Sequence, residues 1–324
     1  MLDVTRLRVL VAVARHGSVT AAAQELNYAQ PSVSHHIARL EAETGARLLQ
    51  RAGRGIRLTD AGRLLAERAE EILGRLDAAE NELAAHVGLR EGRVRLAAFP
   101  SALGTIVPSA AATLEAESPG IDLMLTEAEP PEALRMLRAG YVDVALVFRH
   151  HQEDADLDPP GTDDEGGARS VLLLDEPVHL ITAAGPPAPA AGPGGTGLAG
   201  LAAYADRRWI AGCERCRVNL LGQCERAGFS PKIAFTTDDY LAVQALVAAG
   251  LGVATLPDLA LRSARHPGIT ATPIEGARRH VLAMTYGEPP DPPVTARLIE
   301  VLLAAAAPSP PAAAPSRQVQ IARP

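Results

Sequence analysis

Several groups of residues in this 324-residue chain carry side chains able to do chemistry. Cys213 and Cys216 form a Cys-x-x-Cys spacing with Arg215 and Arg217 beside them, and Cys224 follows. Paired thiols near a helix start and next to cations could act as a redox couple. They could also be half of a zinc site, but no second ligand pair follows at metal spacing. The plainest reading of a single such pair is structural or pocket-lining. A second group is the turn RAGRGIR, in which Gly53 and Gly55 allow a tight hairpin and Arg51, Arg54 and Arg57 line it. Guanidinium groups so placed can contact phosphates or lie in a minor groove. A third is the segment PSVSHHIARLEAETG, whose Ser32, Ser34, His35, His36 and Arg39 fall away from Val33, Ile37 and Leu40 at helical spacing. Short hydroxyls and flat polar rings suit base edges in a major groove. Taken alone, the same pattern more often describes a solvated helix face. His35 and His36 are neighbours on a helix, about 100° apart, and cannot hold one metal together. No nucleophile with a base, phosphate loop or dinucleotide loop follows a strand, so neither an enzyme nor a resident cofactor or metal is expected.

The elements that must position these groups begin with a charge asymmetry. The whole chain carries a formal −7. Residues 1–58 hold eight arginines against four acidic residues, a net +4, which leaves −11 for residues 59–324. A basic head on an acidic body fits a nucleic-acid-reading module joined to something else. The start MLDVTRLRVL lacks the basic opening and unbroken apolar run of a signal peptide, and no stretch approaches the roughly 20 apolar residues of a membrane span. Three cysteines, an odd number, do not describe a disulfide framework. A cytoplasmic location is expected.

In the head, Val4, Leu7, Leu10, Val11 and Ala14 recur at helical spacing, and Gly17 ends that helix. Ser18 or Thr20 caps a second helix, Thr20–Leu26. Asn27-Tyr28 turns the chain, and Gln30-Pro31 opens the third helix. The arginine hairpin follows directly. Thr59 then caps a long helix to about Val87, along which Leu65, Ala69, Ile72, Leu76, Ala79, Leu83 and His86 recur in alternating steps of four and three. That is a coiled-coil seam over about three heptads, although the stripe could instead pack on the protein's own body.

The block from Leu7 to Gly62, carried by RLRVLVAVARHGSVTAAAQELNYAQPSVSHHIARLEAETGARLLQR and GRGIRLTDAG, resembles the DNA-binding domain of the LysR-type transcriptional regulators. Leu49 stands where that family commonly has Phe, a conservative departure. The resemblance implies a winged helix-turn-helix at 1–58 that contacts bases and phosphates through Gln30, Ser32, Ser34, His35 and Arg39, with Arg51 and Arg54 in the wing. It also implies dimerisation through the 59–88 helix, by Leu65, Ala69, Ile72, Leu76, Ala79 and Leu83.

From Arg93 onward strands and helices alternate. RVRLAAF, IDLMLTE and VDVALVF read as buried strands separated by helices Thr105–Glu117 and Pro131–Ala139. VHLIT, RWIAG, KIAFT and GVATLP follow, with helices Val218–Ala227 and Asp238–Ala249, and RHVLAMTY and Pro293–Ala306 close the domain. This body resembles the two-lobed, periplasmic-binding-protein-like effector domain of the same family. Only that resemblance supplies a chain that builds lobe one (about 93–168 and 276–306), crosses to lobe two (about 170–275) and returns. The expected fold is thus an all-α winged head and linker helix on an α/β two-lobed domain.

Ligands of such sheets bind beyond the carboxyl ends of strands. Those ends give Ser101 and Ala102, Phe148 and Arg149, Cys213, and Thr237 as candidate effector contacts, with Arg149 suited to a carboxylate and Asp238 a plain helix cap. Each alone is more often a strand end or cap than a ligand contact. The loop 152–168, the run 185–197 and the tail 307–324 are expected to be solvated or disordered. Expected partners are promoter DNA, a small-molecule effector, and a second copy in a dimer, with a tetramer as dimer of dimers. RNA polymerase is a further candidate partner. A rival reading keeps the body as an enzyme or solute-binding protein and the head as a dimer module.

Overall fold

The computed structural model describes residues 2–52, 55–86, 92–151, 167–185, 197–287 and 289–307. Arg54, the linker end at 87–88, and most of the expected loops and tail lie outside the described residues.

The head is built by local capping around one apolar cluster. Helix α1 (Val4–His16) starts where Asp3 accepts from the Arg6 N–H at 3.2 Å and stops at Gly17, φ 60°. Helix α2 (Val19–Glu25) begins a residue earlier than the spacing suggests, because Ser18, not Thr20, caps it through the Ala21 N–H at 3.3 Å. Helix α3 (Gln30–Thr44) carries Pro31 in its first turn. Leu7, Leu10, Val33, Ile37 and Leu40 are buried together. Strands β1 (Leu49–Ala52) and β2 (Gly55–Leu58) form the hairpin, with Leu49 opposite Leu58 and Arg51 opposite Ile56. Glu41 of α3 accepts from the N–H groups of Leu48 (2.7 Å) and Leu49 (3.2 Å), which fixes the hairpin against α3. Thr59 caps α4 (Asp60–His86) by accepting from the Gly62 N–H at 3.0 Å.

The body is one eight-stranded sheet among the described residues, in the order β4-β3-β5-β10-β6-β9-β7-β8. Lobe one holds β3 (Arg93–Ala98), α5 (Pro100–Leu103), α6 (Ile106–Glu117), β4 (Asp122–Glu127), α7 (Pro130–Arg138), β5 (Val144–His150) and α12 (Pro293–Ala306). Lobe two holds α8 (Leu198–Leu201), β7 (Arg208–Ala211), α9 (Glu214–Arg226), β8 (Lys232–Thr236), α10 (Tyr240–Ala248), β9 (Val253–Pro257) and α11 (Asp258–Ser263). Strands β3, β4 and β5 are parallel, as are β7, β8 and β9.

Two strands are far longer than their apolar runs suggest. β6 (Ala168–Ala183) spans 16 residues and β10 (Ile269–Tyr286) spans 18. They pair antiparallel from Tyr286↔Ala168 to Ile269↔Ala183, with a register break between Pro273 and Arg278, and so run through both lobes. VHLIT and RHVLAMTY are only the apolar segments of these two crossing strands.

At the crossing, Arg279 of β10 lies opposite Glu176 of β6. Both side chains are buried, at 0% and 1% exposure, and ion-paired; the Arg279 Nε donates to Glu176 Oε1 at 2.7 Å. The Leu259 N–H of α11 donates to Glu176 Oε2 at 2.6 Å, and Arg279 Nη2 donates to Ser101 Oγ at 3.1 Å. The guanidinium also lies over the rings of Phe148 (4.5 Å) and Phe99 (5.1 Å).

The linker helix rests on lobe one. A Cβ added to Gly74 of α4 would overlap the carbonyl of Ala139, and one added to Gly140 would overlap Gly74, so backbone meets backbone there. Arg75 lies 4.7 Å over Tyr286 and donates to its hydroxyl at 2.5 Å, and Arg15 of α1 donates to the Tyr141 hydroxyl at 3.3 Å.

Breaking one half of a buried ion pair leaves an uncompensated charge, which costs about 3–5 kcal/mol. Glu176→Gln is therefore expected to destabilise the body by about that much in urea unfolding. Arg279→Met combined with Glu176→Leu should recover most of the loss.

Candidate DNA interface and effector cleft

On α3, Gln30, Ser32, Ser34, His35 and Arg39 are all exposed, while Val33, Ile37 and Leu40 are buried. Gln30 Nε2 donates to Ser34 Oγ at 3.4 Å, which lays the two along one ridge. Arg39 is held loosely, its Nε 3.9 Å from Glu43. Arg51 and Arg57 are exposed and occupy alternate positions of the hairpin, so their side chains leave opposite faces. The outer surface of the head is thus a polar helix face with an arginine hairpin beside it.

The seam on α4 divides. Ala69 is buried at 0%, within the head core beside Ala66 and Leu73, and Leu65 packs on the same cluster. Ala69 therefore departs from the expectation of a dimer contact: α1 packs across that turn of α4 and covers it. Further along, Ile72 (44%), Leu76 (37%) and Leu83 (64%) remain exposed, as does Ala79. These four continue a stripe with no apolar partner in the chain's own head core.

The candidate effector residues gather where the lobes meet, with one exception. Ser101 and Ala102 on α5 and Phe148 on β5 are buried beside Arg279. Phe148 meets Phe99 edge-on at 5.0 Å. Arg149 does not join them. Strand residues alternate faces, so Arg149 leaves the sheet on the side opposite Phe148, where its partner in register is His280. Thr237 sits in the turn before α10, its hydroxyl accepting from the Asp239 N–H at 3.3 Å. Asp239, not Asp238, caps α10, accepting from the N–H groups of Leu241 and Ala242. The helix after RWIAG starts at Glu214 rather than Val218, which makes Cys213 its N-cap and puts Cys216 in its first turn.

Five residues of this cleft were not singled out from the sequence as contacts: Arg279, Glu176, Glu129, Tyr240 and His150. Arg279 and Glu176 are charged side chains inside strands, a signal that was readable. Glu129, just before α7, faces Cys213 across the lobe boundary; burial pushes its carboxyl up, opposed by a hydrogen bond from that thiol and by the Arg279 charge, and its Oε2 has no partner. Tyr240 hydrogen-bonds Ser101, and burial pushes its hydroxyl up. A thiol hydrogen bond from Cys216 pulls Cys213 down against the effect of burial, while Cys216 is pushed up by the same bond and by burial. The result is a polar-lined junction fed by α5, α7, α9, α10, β5, β6 and β10, with Arg279 and Glu176 at its buried floor and Cys213, Cys216 and Tyr240 only half-buried. Among the described residues no group of His, Cys, Asp and Glu is arranged to hold a metal ion.

His150 is 4% exposed, and burial, then the Arg279 and Arg215 charges, lower it from 6.5 to about 3. In the unfolded chain it takes a proton near 6.5, so between these values the unfolded state binds one more proton than the folded. Stability then falls as pH drops through that window, by about 1.4 kcal/mol per pH unit from this group. His150→Phe should make the acid limb of urea midpoints shallower by one proton between roughly pH 6 and 4.

Two family models cover most of the chain: the bacterial regulatory helix-turn-helix protein of the lysR family over residues 4–63, and the LysR substrate binding domain over residues 88–307. A probable HTH-type transcriptional regulator, LrrA of Synechococcus elongatus, is 29% identical over 259 residues, spanning 80% of this chain and 82% of LrrA. The crystal structure of CbnR, a LysR family transcriptional regulator, is similar at TM-score 0.63 and 23% identity, covering 94% of this chain and 99% of CbnR. Full-length CbnR complexed with its target DNA gives 0.62 and 23%, over 94% and 100%. No helix among the described residues is long and apolar enough to cross a membrane. With a helix-turn-helix head and a two-lobed substrate-binding body, the chain belongs to the LysR family of transcriptional regulators.

Proposed function

We propose that this regulator reads operator DNA with α3 and the hairpin, and that a small molecule held between the lobes controls it without any resident cofactor. The observation that carries the DNA reading is the exposed row Gln30, Ser32, Ser34, His35 and Arg39 on a helix whose other face is fully committed to the core. Such a helix can enter a major groove with its base-reading groups outward. Arg51 and Arg57 flank it as phosphate contacts, which add affinity without sequence information. The solved complex of CbnR with its target DNA supports the same use of this fold.

Two heads are needed for an operator with two half-sites, and the exposed stripe Ile72, Leu76, Ala79 and Leu83 provides a seam for a second α4. Dimerisation of these helices also sets half-site spacing. In the cleft, Ser101 and Tyr240 offer polar contacts beside the buried Arg279, and Cys213 and Thr237, before α9 and α10, add two more. An effector that prefers one lobe arrangement shifts the population toward it, and the heads follow. The body acts as a sensor, not as an enzyme. RNA polymerase is the partner such a regulator would address at a promoter.

Footprinting on the operator tests this reading. Identical footprints across a broad metabolite set would remove ligand gating and leave DNA binding standing. Arg51→Ala should lower the slope of log affinity against log salt by about one, with little change in base preference. Ile72→Glu with Leu76→Glu should convert the dimer to a monomer in sedimentation and shrink the footprint to one half-site.

A further inference from the structure

We propose that Cys213 and Cys216 form a reversible dithiol–disulfide site in the cleft, oxidised by exchange with a low-molecular-weight disulfide and sensed through the contact of Cys213 with Glu129. Cys213 is the N-cap of the 13-residue helix α9, and Cys216 is its third residue. The N-cap and third residues of a helix share its first turn, a Cβ built on Gly212 would lie 3.5 Å from the Cys216 Cβ, and a hydrogen bond between the two thiols shifts the acidity of both. Neither residue is fully buried, and only Cys213, which makes the first attack, has to be reached by a small reagent.

A second observation points to the same place. Arg279 is completely buried, and its Nη1 has no hydrogen-bond partner although Nε and Nη2 are engaged. Its charge draws Cys216 toward the thiolate, against the Cys213 hydrogen bond and burial, which together push that thiol up until Cys213 is consumed. Glu129 and Asp238 act in the opposite sense on Cys213, whose acidity is maintained chiefly by the Cys216 thiol. Cys224 is a contrast. It is 0% exposed beside Trp209 and Leu220, and burial pushes it up to about 12. It is chemically silent.

The Cys213 thiolate attacks one sulfur of a disulfide RSSR, forming a mixed disulfide and releasing one thiolate. The Cys216 thiolate then attacks the Cys213 sulfur, breaking its bond to the second RS group. Two electrons pass from the protein to RSSR, and the two cysteine protons end on two RSH. The product has no S–H on Cys213, so Glu129 of lobe one loses the thiol that holds it from lobe two. Redox state thereby alters the lobe contact. This last step rests on the reading of the cleft as the controlling site, whereas the exchange chemistry does not.

The full-length protein is equilibrated in glutathione buffers of graded ratio, quenched in acid, alkylated and peptide-mapped. Oxidation is expected to remove two of the three alkylatable thiols and yield a peptide linked 213–216, with Cys224 alkylated only after denaturation. Cys216→Ser should instead accumulate a glutathione adduct on Cys213. Retention of three free thiols at every ratio, or a linkage through Cys224, would overturn the site. For the read-out, oxidation should raise hydrogen exchange in the first turns of α7. Unchanged exchange with the disulfide formed would overturn the coupling through Glu129. Loss of ligand response at a fixed redox state would strike the effector reading alone.

Discussion

A full positive charge in a dry hinge is the constraint around which the body is organised. Arg279 cannot sit at 0% exposure without Glu176, and Glu176 cannot sit at 1% without Arg279 and the Leu259 N–H. Each belongs to one of the two long strands that run through both lobes, so the pair fixes their register at the point of crossing. The rest follows from that anchor. Ser101 is drawn in from lobe one, α11 is seated from lobe two, and the rings of Phe99 and Phe148 enclose the guanidinium. A ligand between the lobes would meet a junction whose polarity is already set by one ion pair and the unpartnered Nη1 of Arg279.

The head obeys a simpler rule. Its core is made by residues at helical spacing, and short caps at Asp3, Ser18 and Thr59 decide where each helix begins. Because α3 spends Val33, Ile37 and Leu40 on the core, Gln30, Ser32, Ser34, His35 and Arg39 are left exposed on its other sides. Glu41 then ties the hairpin to the same helix by its N–H groups, so recognition helix and wing move as one piece.

Much of this was legible in the sequence because local rules govern it. Periodicity gave the head helices, and the Gly-rich arginine run marked the hairpin. The misreadings share a cause: they depended on what lies opposite. Arg149 follows Phe148 in the chain, yet only the register with β10 tells which face looks into the cleft. Ala69 matches the heptad, but α1 had already taken that turn of α4. Pro177 and Pro273 broke the apolar patterns of β6 and β10, so each long strand read as a short one. Arg279 and Glu176 stood out as charges inside strands, but only the register of β10 with β6 shows that they face each other and are buried.

The meeting of Gly74 with Gly140 has a mechanical consequence. Side chains at those positions would act as a cushion, able to slip or compress; bare backbone on backbone acts as a fulcrum. From Gly74 to the start of α4 is 14 residues, an arm of about 21 Å at 1.5 Å per residue. A tilt of about 10° at that fulcrum sweeps the first turn of α4, where the hairpin joins it, through about 4 Å, close to the roughly 3.4 Å spacing of stacked base pairs. A rotation of lobe one about that fulcrum would therefore reach the start of α4 magnified by the length of the arm.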